Sequence, residues 1–313
     1  MTMVGESSRS IWGFIQRALF IVVILFFSFY SLFPFLWGLN TSFKTVDEIA
    51  NVPITFVPNE FTLNNYESVL SCAVLGFGTP GETLQFLFQP SQLTSIVTST
   101  GCQFLISIRN SFIIAFGATF LSLILGGLSA YALGRYRFRG RSLMRYTVLT
   151  MNLFPTIAVL PSLLDTMSNL NLTGTLWSLV LTYPIFTLPT ITWSMVVFFQ
   201  QLPQDIEQAA FVDGASTLQV FYRILMPIAT PVLLTTGVIT FIGTFNEYLL
   251  ALAFVSSTPE ARNITVAIKF LAGQITPGEL MAMSVVIALP LIVIIGLTQR
   301  QAIKETTSGA VKG

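Results

Sequence analysis

Long stretches without Asp, Glu, Lys or Arg constrain this chain most, because a helix crossing the hydrocarbon of a bilayer needs about 20 mainly apolar residues. Ala18 to Phe43 is one such stretch and contains IVVILFFSFYSLFPFLW; Asn110 to Gly134 is another, NSFIIAFGATFLSLILGGLSAYALG. A third span falls within Tyr146 to Leu164, and a fourth at about Thr175 to Phe199 inside the uncharged run Thr166 to Gln204. The fifth covers Ile228 to Val255 despite Glu247, and the sixth Leu280 to Gln299 with Pro290 inside. Pro155, Pro184 and Pro189 are expected to bend their helices, which lipid tolerates where neighbouring groups satisfy the released carbonyls. The expected fold is an all-α membrane protein of six transmembrane helices. The first apolar region exceeds the 7–15 residues of a secretory signal and lacks a small-residue cleavage site, so it reads as a retained helix.

Composition agrees: 53% hydrophobic against 9% charged residues over 313 positions does not suit a soluble domain. A net charge of +1 excludes the strongly basic surface of non-specific nucleic-acid binding, and the high hydrophobicity excludes disorder. Histidine is absent, which removes the commonest metal ligand and the usual acid/base group near neutral pH. No metal site and no catalytic residue are expected.

Basic residues set the orientation, since they collect on the cytoplasmic side. Arg9 and Arg17 precede the first span, and Arg135, Arg137, Arg139, Arg141 and Arg145 crowd the second connection. Arg223 lies before the fifth span, and Arg300, Lys304 and Lys312 follow the last. The opposite loops hold only Lys44, Arg109, Arg262 and Lys269, so both termini are expected in the cytoplasm. The expected organisation is a cytoplasmic segment 1–17, a first helix 18–38, an exoplasmic segment 39–107, a five-helix core 108–299 and a cytoplasmic tail 300–313. Within the core lie a cytoplasmic loop 203–227 and an exoplasmic loop 256–279. The run RYRFRGR either fixes topology or forms a docking surface for lipid head groups or a partner. Cys72 and Cys102 face a side that is oxidising in bacteria with a periplasm; they are either bonded or two unpaired small residues.

The most informative segment is the cytoplasmic LPQDIEQAAFVDGASTLQVFYRILMPIATP. Pro203 can start a helix, and Asp205 and Glu207 suit the positive end of its dipole. Ala209 and Ala210 allow close approach, and Gly214 permits a sharp turn. Leu218, Phe221, Tyr222 and Leu225 then recur at spacings of three or four, predicting an apolar face beneath the bundle.

This segment resembles the signature loop of permease subunits in bacterial ATP-binding-cassette importers: Glu207, Ala209, Ala210, Asp213, Gly214, Ala215, Ile224 and Pro227 stand in its order. The family commonly has a second glutamate where this chain has Gln208. YALGRYRF and the final TSGAVKG are similar to the carbohydrate-importer branch, particularly the MalG-like maltose/maltodextrin permeases. The resemblance implies the type I importer permease fold, a second related permease, two cytoplasmic ATPase subunits and an extracytoplasmic sugar-binding protein. Glu207 to Gly214 would then be a coupling helix seated in an ATPase cleft. Ser308, Gly309 and Gly313 would lie in a tail that reaches the ATPases, and Gly273 and Gln274 in a loop that reaches the binding protein. ATP and Mg2+ would be held by the ATPases, with no cofactor on this chain. Trehalose or another di- or oligosaccharide is the alternative cargo.

Glu247, beside Asn246, is costly against lipid and so belongs either to a polar pathway or gate or to an inter-helix contact. Asn152, Thr156 and Trp193 are further candidates for a polar route. No Walker loop is present, so energy for an ATP-driven process would come from another subunit. An ion-coupled secondary transporter, the alternative of a different class, would favour internal repeats and broken helices around ion ligands.

Overall fold

The computed structural model describes the backbone of residues 5–72 and 100–310, and the side chains of 14, 16–72 and 100–298. The described residues are helices and loops, without a strand. They fall into two compact units, one comprising Met1–Val69 with Ile275–Val286 and the other Leu70–Gln274 with Ile287–Gly313.

The first unit contains α1 (Gly5–Thr41), two short helices α2 (Val46–Ala50) and α3 (Asn64–Leu70), and the start of a long C-terminal helix. The α1 segment Gln16–Thr41 is long and apolar enough to cross a membrane, and its apolar side chains are almost all exposed. After α1 the chain makes a tight polar knot. Lys44 Nζ donates to the Thr55 carbonyl, Asn65 Nδ2 donates to the Ser42 and Lys44 carbonyls at 2.9 Å each, and Glu48 Oε1 accepts from the Thr55 hydroxyl and the Asn59 N–H.

The second unit is organised around α4 (Thr100–Arg135) and α7 (Leu176–Gln201). Helices in lipid associate through close backbone approach at small residues. Here Gly117 faces Val180, Gly126 faces Ile191 and Gly134 faces Phe199; a Cβ at these glycines would come within 3.2, 2.6 and 3.2 Å of those side chains. Pro184 and Pro189 lie within α7, which remains one helix.

The expected third span is two helices, α5 (Arg141–Met151) and α6 (Thr156–Asn169), meeting at 95°. Pro155 has no N–H for a continuing ladder and its ring disfavours helical geometry at Phe154; Pro155 itself is extended, at ψ 123°. The expected fifth span is also interrupted: α9 (Thr217–Phe245) ends, residues 246–248 turn, and α10 (Leu249–Val255) follows. α8 (Asp205–Val212) leads into α9, α11 is Ile264–Leu271, and α12 is Pro277–Ala310. Among the described residues, five helices are long and apolar enough to cross a membrane, or six with α5 and α6 counted as one broken span. Cys72 and Cys102 are joined as a disulfide, with Cα atoms 4.6 Å apart, which ties the chain beyond α3 to the first turn of α4.

Candidate functional site

The loop between α7 and α9 is anchored from above by one arginine. Arg135, at the end of α4, donates to the Leu202 and Pro203 carbonyls at 2.9 and 3.2 Å, and its guanidinium pairs with Glu207 on α8. Both side chains are largely buried, 6% and 12% exposed. Glu207 therefore faces inward, because the arginine attracts the carboxylate and satisfies it within the chain. Arg141 similarly donates to the Leu133 carbonyl at 2.7 Å and to the Gly134 carbonyl, closing the C-terminus of α4. Two arginines of the RYRFRGR region thus have internal partners, which sequence counting did not reveal.

Ala210 is buried, whereas Asp205, Gln208, Ala209, Val212 and Asp213 are exposed, with Val212 87% exposed. Gly214 has φ +82°, a left-handed geometry that side-chain-bearing residues rarely adopt, and Ala215 N–H closes on the Ala210 carbonyl at 3.0 Å. Ser216 and Gln219 then form a reciprocal capping box that starts α9. The expected apolar face shifts: Val220, Phe221 and Leu225 are buried, but Leu218 and Tyr222 are 66% and 52% exposed. For Tyr222 the period is broken by a π-helical stretch at Val220–Leu225, whose i→i+5 bonding departs from 3.6 residues per turn; Leu218 lies before it.

A second polar constellation sits at the break between α9 and α10. Glu247 Oε1 accepts from the Leu250 N–H at 3.0 Å, while Oε2 accepts from the Ala251 N–H at 3.2 Å and the Tyr183 hydroxyl at 2.8 Å. The carboxyl group thus closes the start of α10 and bridges to α7. The Glu247 carbonyl accepts from Asn263 Nδ2 at 3.0 Å and Thr265 Oγ1 at 2.8 Å, bringing α11 to the same point. A half-open cleft of about 110 Å³ adjoins it, its walls including Thr156, Tyr183, Phe186, Thr187, Thr244 and Glu247.

Of the residues expected on a polar route, Glu247 and Thr156 meet there. Asn152, the C-cap of α5, accepts from the Thr190 hydroxyl at 2.9 Å; Asn246, the C-cap of α9, bonds back to the Ile242 carbonyl at 2.9 Å; Trp193 is half-buried on α7. None of these three lines the cleft. Tyr183, Thr187 and Thr244 were not singled out from sequence, because threonine and tyrosine within apolar spans carry no periodic signal; Tyr183 beside Pro184 was the available hint.

On the opposite loop, Asn110 Nδ2 donates to the Glu260 and Arg262 carbonyls at 2.8 and 3.0 Å, and Ser111 Oγ accepts from the Ile264 N–H at 2.8 Å. Arg262 stacks over the Phe270 ring at 3.9 Å; burial lowers its pKa from the ordinary value, and nearby Glu260 opposes that shift. Gly273 and Gln274 lie exposed just beyond α11, with open space where a Gly273 Cβ would project. Ser308 and Gly309 fall on the end of α12, where side chains lie outside the described residues, and Gly313 lies outside them altogether. Among the described residues no cluster of three or more Cys, Asp or Glu side chains could hold a metal.

Residues 118–304 match the family model described as "binding-protein-dependent transport system inner membrane component". The chain is 32% identical to the trehalose/maltose transport system permease protein MalG of Thermococcus litoralis over 96% of this chain and 98% of that protein. It is 31% identical to the sulfoquinovosyl glycerol transport system permease protein SmoH of Agrobacterium fabrum, over 90% of each. Identity to the trehalose transport system permease protein SugB of Mycobacterium tuberculosis is 30%, over 91% and 93%. The fold matches a chain in the crystal structure of a bacterial ABC transporter involved in the import of the acidic polysaccharide alginate, with TM-score 0.70, 19% identity and coverage of 96% and 99%. With two interrupted spans, a clasped loop before α9 and a family match over more than half its length, the chain belongs to the binding-protein-dependent transport system inner membrane components.

Proposed function

We propose that the chain is the permease subunit of an ATP-driven sugar importer, carrying maltose or maltodextrins, with trehalose or another di- or oligosaccharide as the alternative cargo. It works with a second related permease, two ATP-binding-cassette ATPases and an extracytoplasmic sugar-binding protein. Relatives named for trehalose/maltose, trehalose and a sulfoquinovosyl glycoside support a glycoside as the cargo class. ATP and Mg2+ belong to the ATPase subunits, and this chain binds no cofactor and performs no catalysis.

The observation that carries the reading is the exposed surface of α8 and its turn: Asp205, Gln208, Ala209, Val212 and Asp213 around the positive-φ Gly214, on a loop clasped to α4 through Arg135. Small and apolar residues let α8 enter a cleft in an ATPase subunit, with Ala209 and Gly214 giving close approach. The clasp makes the loop stiff. When ATP closes the ATPase pair, displacement of α8 passes through the Arg135–Glu207 pair to α4 and through the capped, π-turned start of α9 to the break at Glu247. Asn152, Trp193, Asn246 and Glu247 contribute to the path or its gate. Gly273 and Gln274 contact the binding protein, and the tail with Ser308, Gly309 and Gly313 contacts the ATPases. Both termini lie in the cytoplasm, which leaves the Cys72–Cys102 pair on the exoplasmic side.

The test is ATP hydrolysis and uptake by the complete assembly across a sugar panel. Binding-protein-stimulated hydrolysis with maltose or maltodextrins is the expected result; stimulation by trehalose alone moves the cargo to the alternative. Absence of stimulation by any sugar, with uptake driven by an ion gradient, would sink the importer reading.

A further inference from the structure

We propose that the cleft at the α9–α10 break is a subsite for a neutral, hydroxyl-rich ligand, so that this permease itself holds one ring of the transported sugar. The inference deepens the importer reading and rests on it.

Glu247 is the polar centre of the cleft. A carboxyl group offers about four lone-pair sites, and three are already used by Leu250 N–H, Ala251 N–H and the Tyr183 hydroxyl. About one acceptor site remains, which suits a ligand hydroxyl. A hard cation needs six or more oxygen ligands. Here it would find a single carboxyl group whose sites are mostly taken by N–H and O–H donors, so the chemistry favours a polyol over an ion.

Thr244 supplies the second, independent observation. It lies in the same wall, is 5% exposed, and its hydroxyl has no hydrogen-bond partner. A buried hydroxyl left unpaired is costly, and nothing on α9 explains its retention. A ligand hydroxyl in the cleft would complete it. Phe186, in the same lining, offers an apolar ring for the C–H face of a sugar, and Thr187 is held by hydrogen bonds with Ser122 at 2.6 Å and to the Tyr183 carbonyl at 3.2 Å. The combination of one acceptor, one free hydroxyl and one aromatic face is the recognition chemistry of a carbohydrate.

The decisive variant is Thr244→Val, because the replaced hydroxyl makes no bond within the protein and the two side chains have the same shape. Direct binding of radiolabelled maltose and trehalose is measured to the membrane assembly of both permeases and both ATPases, without binding protein. Loss of one ligand hydrogen bond raises Kd roughly three- to tenfold, and Thr244→Ser restores it. Thr230→Val serves as the control; that hydroxyl bonds the Met226 carbonyl at 3.2 Å on the same helix, away from the cleft, and its loss leaves Kd unchanged. An unchanged Kd in well-expressed Thr244→Val, or no sugar binding by the wild-type assembly that still shows stimulated hydrolysis, overturns the subsite alone. Failure of stimulated hydrolysis in the wild type overturns the importer reading instead. A sodium or proton dependence of uptake that Thr244→Val abolishes overturns the polyol assignment in favour of a cation site.

Discussion

Arg135 illustrates how much a single residue can decide. Counted in the sequence, it is one more positive charge on the inner side; in the fold it holds two carbonyls and the Glu207 carboxylate. Removing one member of a largely buried ion pair leaves the other charge uncompensated, at a cost of about 3 kcal/mol or more. Arg135→Ala is therefore expected to raise amide hydrogen exchange across 203–216, while an unchanged exchange pattern would show that the clasp is dispensable. Gly214→Val meets a different barrier, because φ +82° costs an L-residue about 1–2 kcal/mol, more when β-branched. Sugar-stimulated ATP hydrolysis should fall severalfold while the chain still reaches the membrane; normal hydrolysis at normal expression would contradict coupling through this turn. In the first unit, the Thr55 hydroxyl and the Asn59 N–H hold the Glu48 pKa below its ordinary 4.5. A carboxyl lowered in the folded state contributes stability that is full above its unfolded value and lost as pH falls through its folded one. Protection factors in residues 45–60, that is, exchange corrected for its intrinsic pH dependence, should stay constant from neutrality to pH 5 and fall only below 4.5, and Glu48→Gln should remove that acid step. Glu207 and Gly214 stood out in the sequence, but the partner of Glu207 did not: Glu207 and Arg135 are 72 positions apart (207 minus 135), and spacing carries no information about such a meeting.

Among the elements, the α4–α7 pair depends on glycine rather than on hydrophobicity. A Cβ at Gly126 would lie 2.6 Å from Ile191 Cγ2, on a β-branched side chain with little freedom to retreat. Gly126→Ala should lower the thermal stability of the detergent-solubilised chain, on the order of 1–3 kcal/mol for overpacking, whereas alanine at Gly243, where no atom lies within 4 Å, should be tolerated. Equal melting of both variants would remove close packing from the account. Helix existence was readable because uncharged length suffices for it. Helix interruption was readable only in part. Pro155 signals one break, yet Pro184 and Pro189 leave α7 whole, and the break after α9 falls at Asn246–Tyr248 without a proline. Glu247 makes that break tolerable, since its carboxyl group accepts the N–H groups that the start of α10 exposes. The π-helical stretch at Val220–Leu225 was likewise invisible to a 3.6-residue template.

For the whole molecule, orientation is the property most open to direct measurement. With 11 basic residues assigned to one side and 4 to the other, Val212→Cys should react with an impermeant thiol reagent only after the inner face is opened, and Gly273→Cys from outside. Reversed labelling would invert the assignment and with it the placement of α8 against the ATPases. Both positions are exposed in the chain itself, so protection on assembly would also report the expected partners. Residue order alone was enough to establish the lipid solvent, the helical class, the approximate number of spans and the loop that carries the family signature. These follow from local quantities: the length of uncharged runs, the side on which charge collects, and the order of residues in one segment. Tertiary structure alone decided that Glu207 turns inward, that Leu218 and Tyr222 stay exposed, and that Tyr183, Thr244 and Glu247 share one cleft. The reason is physical. Burying a charge or a hydroxyl in lipid requires partners drawn from different helices, and which helices meet is set by close packing at glycines and by broken ladders, not by any pattern along one helix.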